Sequence, residues 1–164
     1  DATGKLIAGP NPTFKQVANG LPGLEVRMPL LFDAMVSKGR LGLQKFVELT
    51  ATAPARIYNL AARKGSVAVG ADADLAIWNP DVEVTLKDGI MHDRTGYTPF
   101  AGRKVKGWPQ TVLRRGEVII ADGHLKAKPG SGQFLPRSGG EAARPSGRTT
   151  ADTLLAHRLG AKIV

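Results

Sequence analysis

Apolar and polar positions change rhythm along this chain. Residues 1–23 carry Gly, Pro and Asn with no sustained period, which predicts a long loop, and long loops in compact enzymes are often functional. From Leu24 the rhythm turns helical: Leu24, Met28, Leu31 and Met35 recur at spacings of four, three and four, one apolar stripe. Pro29 must lie near the first turn of that helix or kink it, and Gly39 ends it. A second helix is expected over residues 43–49, with Phe46 and Val47 facing inward. Thr52-Ala53-Pro54 reads as a cap with proline in the first turn of a third helix, which carries Ile57 and Leu60.

After Arg63-Lys64-Gly65 the period shortens. Ser66-Val67-Ala68-Val69 predicts a short strand ended by Gly70, and residues 72–74 a turn. Leu75-Ala76-Ile77-Trp78 predicts a second strand, closed by Asn79-Pro80-Asp81, and Val82-Glu83-Val84-Thr85-Leu86 alternates like a half-buried third. Residues 111–120 read as two strands pivoting on Gly116, with Asp122-Gly123 as a further turn. From Lys126 onward Pro, Gly, Ser and Arg dominate, as in an extended arm. Residues 151–159 could form a last helix placing Leu154, Leu155 and Leu159 on one face. No internal repeat is visible.

Loop, helices, strands, arm: this order predicts an α+β protein or the seam between two domains. Three amphipathic helices with no strand of their own do not readily bury their apolar faces alone. The pattern therefore calls for further residues upstream.

Composition alters this picture little. Hydrophobic residues make up 42% and aromatics 5%, so a core is affordable but mostly aliphatic. The absence of cysteine excludes disulfides, thiolate metal sites and a cysteine nucleophile, and fits a cytoplasmic protein. Apolar runs such as Pro29-Leu30-Leu31-Phe32 fall far short of the roughly 20 residues that cross a bilayer. The N-terminus lacks the charged-then-apolar order of a signal peptide, so a soluble protein without a membrane partner is expected.

Charge is uneven. Residues 1–102 hold 11 Lys/Arg against 10 Asp/Glu, and residues 103–164 hold 12 against 4. A basic tail can attract nucleic acid. Here the cations are scattered among Gly, Ser and Pro with no aromatic platform for bases, which favours a solvated tail or one lying on an acidic neighbour.

Candidate chemistry is sparse. His92, His124 and His157 are far apart and form no His-x-His pair, whereas a metal site needs several convergent ligands. Asp72 and Asp74 could pass for paired carboxylates, but between Gly70 and a strand they read as turn residues bonding nearby backbone. Gly65 and Gly70 do not make a phosphate loop. Glu25 and Arg27 read as charge compensation at a helix start plus a salt bridge, and Trp78 and Trp108 as core or interface residues.

Four phrases carry a resemblance. Asn19-Gly20-Leu21-Pro22-Gly23-Leu24-Glu25-Val26-Arg27 resembles the stretch after the last barrel strand in hydantoinases and dihydropyrimidinases. Thr50-Ala51-Thr52-Ala53-Pro54-Ala55-Arg56-Ile57-Tyr58 resembles the helix start those enzymes place before their second domain. The stretch from Arg63 through Gly65 and Asp72 to Leu75 resembles the strand-turn-strand phrase of the wider amidohydrolase superfamily. Tyr97-Thr98-Pro99-Phe100-Ala101-Gly102, followed by Gly116-Glu117-Val118-Ile119, resembles its later β-sandwich segment. The phrases stand in the family's order across roughly residues 4–135.

The resemblance implies a TIM-type (β/α) barrel with a composite β-sandwich. It further implies two divalent metals, usually zinc, that activate a water to open a cyclic amide. Residues 1–60 would then be the end of the barrel domain, loop and last helices, residues 61–135 sandwich strands, and residues 136–164 an extended basic arm on a neighbouring subunit of a homo-oligomer. The metal ligands would precede residue 1, with Asp1 a loop residue downstream of the true ligand. No catalytic or metal-binding residue is then expected among these 164 residues, which alone would be inactive. One position matches a substrate-facing residue: Asn19, whose counterpart's backbone hydrogen-bonds the imide edge of the cyclic substrate. A plain Asn-Gly turn is the other reading of Asn19. A non-catalytic subunit paired with a barrel-bearing partner, and a basic nucleic-acid-binding module, stand as alternatives.

Overall fold

The fold is seen in a computed structural model that describes residues 13–16 and 20–143. Helix α1, Leu24–Phe32, passes without a break into a wide π-helical turn, Asp33–Ser37. Helix α2, Leu43–Val47, likewise runs through a π turn, Glu48–Thr52, into α3, Ala53–Ile57. The second and third predicted helices are thus one rod. Thr52 is not a cap: its backbone is helical, and its hydroxyl donates instead to the Gly65 carbonyl at 2.9 Å. Pro54 lacks the N–H that a continuous helix would use, and the wide turn stands immediately before it.

Four strands follow as an antiparallel meander in sequence order: β1 Leu75–Thr85, β2 Lys104–Arg114, β3 Glu117–Ala121 and β4 His124–Leu125. The two strands expected on either side of Asn79-Pro80-Asp81 are one. Asn79 pairs with Trp108 and Glu83 with Lys106, so the residues between them are accommodated as an irregular bulge, where a proline's missing N–H does least harm. The Gly116 pivot and the Asp122-Gly123 turn are present as predicted. Arg115 and Gly116 lie at φ 48° and 81°, and Asp122 and Gly123 at 48° and 78°. Positive φ at both central residues is the two-residue hairpin geometry that matches strand twist.

Other expectations fail. Residues 66–69 form no strand, and Val67 and Val69 are 87% and 107% exposed; strand propensity needs a ladder partner, and none reaches this segment among the described residues. Of the stripe through Leu24, Met28, Leu31 and Met35, only Met35 is buried, with Leu24 79% and Leu31 37% exposed. Helix α1 and its π turn otherwise bury Val26, Pro29, Phe32 and Asp33. The helix is apolar on both faces, and the sheet takes one. Phe46 is buried as expected, but Val47 is 45% exposed.

Two small cores join helix to sheet. One gathers Val26, Leu86 and Val105 with Phe100 and Trp108. The other gathers Phe32, Met35 and Phe46 around Trp78. There Phe32 stacks on Trp78 at 4.6 Å, while Phe46 meets both edge-on at 5.3 and 5.7 Å. Both tryptophans therefore take the core role read from sequence. Gly107, at φ 94°, makes this packing possible, since a methyl there would lie 2.2 Å from Phe32 Cδ1. Beyond β4 the backbone returns to α3: Arg137 lies over the Tyr58 ring at 5.3 Å, and Asn59 Nδ2 donates to Ser138 Oγ. The helix expected over residues 151–159 lies outside the described residues.

Candidate functional site

Asn19 lies outside the described residues. The segment that follows it, residues 20–23, enters α1 with Leu21 exposed, and the helix start at Gly23 receives no side-chain cap. Glu25 sits in the first turn of α1, where negative charge is favoured. Its partner is not Arg27, its neighbour on the helix, but His92, 67 residues away: Oε2 accepts the His92 backbone N–H at 2.7 Å, and Oε1 faces the ring Nδ1 at 2.8 Å. His92 belongs to the loop between β1 and β2, whose base is closed by Leu86 bonding to Gly102 and Arg103. Phe100, on the returning limb, lies 3.6 Å from where a Gly23 methyl would stand. A shallow apolar hollow of about 530 Å³ opens beside this junction, lined by Leu21, Leu24, Leu30, Leu31, Pro99 and Phe100.

The acidic pair Asp72 and Asp74 is structural. Asp72 accepts from Arg63 at 2.9 Å and from Lys64 at 2.8 Å, and Lys64 also bonds Asp74. Asp74 takes the Arg115 N–H at 2.8 Å, which holds the β2–β3 hairpin against this corner. Burial would raise the Asp74 carboxyl, but Lys64 and the Arg115 N–H hold it below its ordinary value. Hydrogen bonds from Lys64 and then Arg63 lower Asp72, and those from Asp72 and Asp74 raise Lys64. This is a fully engaged ion cluster, with backbone as one of its partners.

Among the described residues no three His, Cys, Asp or Glu residues converge to hold a metal ion. His92 is engaged with Glu25, His124 stands on β4, and Asp1 and His157 lie outside the described residues. The donor set does not fit a metal centre, and no step through a metal can be built from these residues. No helix among them is long and apolar enough to cross a membrane.

Known proteins place this architecture. The profile of the Amidohydrolase family matches residues 16–119. A D-hydantoinase from Ralstonia pickettii is 42% identical over 124 residues, which are 76% of this chain and 27% of that protein. Dihydropyrimidinase 2 of Caenorhabditis briggsae is 38% identical over 75% of this chain and 24% of its own length. Among solved structures, a D-hydantoinase superposes with a TM-score of 0.74 at 41% identity, covering 78% of this chain and 28% of that one. The dihydropyrimidinase of Brevibacillus agri NCHU1002 superposes at 0.75 with 35% identity, covering 82% and 29%. The chain thus spans about a quarter of the length of these relatives. On sequence and fold together, it belongs to the amidohydrolase family, beside the hydantoinases and dihydropyrimidinases.

Proposed function

We propose that this chain is the C-terminal part of a metal-dependent hydrolase that opens cyclic amides such as hydantoins or dihydropyrimidines. The observation that carries the reading is the joint match in sequence and fold to a D-hydantoinase, 41% identical at a TM-score of 0.74. In this reading residues 1–60 complete the barrel domain, residues 61–135 contribute sandwich strands, and residues 136–164 form an arm against a neighbouring subunit of a cytoplasmic homo-oligomer. The two-faced α1 supports it, because a helix with apolar residues on opposite faces belongs between two partners. So does the groove of about 540 Å³ between the helical rod and β1, walled by Leu43, Val47, Val67, Leu75, Trp78 and Pro80.

The metals, zinc in this reading, are held by the preceding part of the enzyme. The present residues supply one substrate-facing turn, at Asn19. A cyclic imide edge presents a donor beside acceptors, which a backbone C=O and N–H can match together. The test compares two samples with zinc and dihydrouracil or hydantoin. The longer protein that includes this sequence opens a ring, while the 164-residue chain alone stays at the buffer rate. Ring opening by the 164 residues alone, or none by the longer protein, overturns the proposal.

A further inference from the structure

We infer that Lys64, with Arg63, Asp72 and Asp74, forms an ionic latch, and that in acid the loop of residues 65–71 and the tip of the β2–β3 hairpin open there as one unit, ahead of the two cores. The loop has little else to hold it. Its strand-forming residues join no ladder among the described residues, and Val67 and Val69 at its apex are almost wholly exposed. Its base fixes it instead. There the Asp72 N–H donates to the Arg63 carbonyl at 2.9 Å, and the Thr52 hydroxyl donates to the Gly65 carbonyl at 2.9 Å. Gly65 itself lies so close to the helical rod that a methyl there would stand 2.6 Å from Ala55 Cβ.

Lys64 bridges both carboxylates, Asp72 at 2.8 Å and Asp74 beside it. Arg63 adds a second cation to Asp72. Asp74 takes the Arg115 N–H at 2.8 Å, and the next amide, Gly116, donates to the Ala73 carbonyl at 3.0 Å. A chain of bonds thus runs from the end of the rod through Lys64 to the hairpin tip. The hairpin's other charges are engaged elsewhere, Arg114 with Glu117 and the Arg115 guanidinium with the Ser131 carbonyl. Folding lowers both latch carboxyls, so their contribution is present above the ordinary value and lost as pH falls through the folded one. Lys64 is raised, so its contribution is lost only in alkali, as pH rises through its folded value. Asp33, the carboxyl beside the cores, is more deeply buried than either latch carboxyl. Water therefore reaches the latch first, the behaviour of a sub-global unit. Lys64, Val67 and Asp72 also line the groove that Leu43 and Val47 wall, so opening widens it.

Hydrogen exchange followed residue by residue tests this. The amides of Asp72, Arg115 and Gly116 make bonds across the latch, while those of Leu86 and Gly102 bond at the base of the β1–β2 loop and serve as reference. In the full-length protein at neutral pH, Lys64→Met should quicken exchange at the first three about ten-fold and leave the other two within about two-fold. Lys64→Arg should restore protection, because a guanidinium also reaches two carboxylates. In the unsubstituted protein the same three amides should lose protection first as pH falls to about 3, an arm that needs no variant to fold. Unchanged exchange at the three amides in Lys64→Met, equal loss in Lys64→Arg, or loss at all five amides together in either arm overturns the latch. Neither arm uses activity, so the outcome is separate from that of the proposed function.

Discussion

A carboxylate that leaves water needs donors in its place, and Asp33, 4% exposed, finds them in the Lys38 ammonium at 2.5 Å and the Lys106 N–H at 3.1 Å. Burial alone would push its pKa up, but Lys38, the Lys106 N–H and the charge of Arg103 bring it below its ordinary value of 3.8. A carboxyl lowered on folding contributes stability above its unfolded pKa and loses it as pH falls through the folded one. The protein should therefore lose stability as pH drops below about 4. Asp33→Ala leaves the Lys106 N–H unpaired and should cost about 1–3 kcal/mol at neutral pH. Urea midpoints taken across pH check both, since the variant should also lose part of the acid dependence. Lys38 is half exposed, so its own substitution should matter less.

At the scale of elements, the joint between α1 and β2 depends on a missing methyl group. Ser37 donates to the Lys106 carbonyl at 2.8 Å, and Asp33 takes the N–H of the same residue. One step on, Gly107 at φ 94° lets the Phe32 ring lie on bare backbone. Gly107→Ala meets left-handed strain and the Phe32 ring at once, and should destabilise by about 2–4 kcal/mol. A thermal melt with near-UV circular dichroism would check this, because displacing Phe32 should also disturb the Trp78 stack. This joint was hidden from sequence reasoning. Helical spacing identified α1 as amphipathic, and turn chemistry placed the Arg115-Gly116 and Asp122-Gly123 hairpins. Nothing local paired Asp33 with Lys106 or Glu25 with His92, because those partners are 73 and 67 residues apart.

Across the whole molecule, much apolar surface is uncovered. Leu24, Val67, Val69 and Phe134 are each more than three-quarters exposed, and β1 pairs on only one side among the described residues. Exposed apolar patches together with an open strand edge favour association. The isolated protein should self-associate between micromolar and higher concentrations. Sedimentation velocity over a dilution series would show this as a rising mean mass, and a constant monomer mass would count against the unfilled-interface reading.

Sequence by itself determined the family, the α+β order, the core tryptophans and both tight hairpins, because each rests on residues adjacent along the backbone: a phrase, a period, or a turn whose φ angles demand glycine or aspartate. It also placed an apolar stripe along α1, while the face that the sheet would take was decided only by tertiary structure. With Leu24 and Leu31 on one side and Val26 and Phe32 on the other, periodicity offers two stripes, and only the arrival of β2 selects between them. The same holds for residues 66–69, whose residue types suit a strand but whose backbone has no ladder to join among the described residues. Local patterns state what a segment can bury, and only the assembled fold states against what.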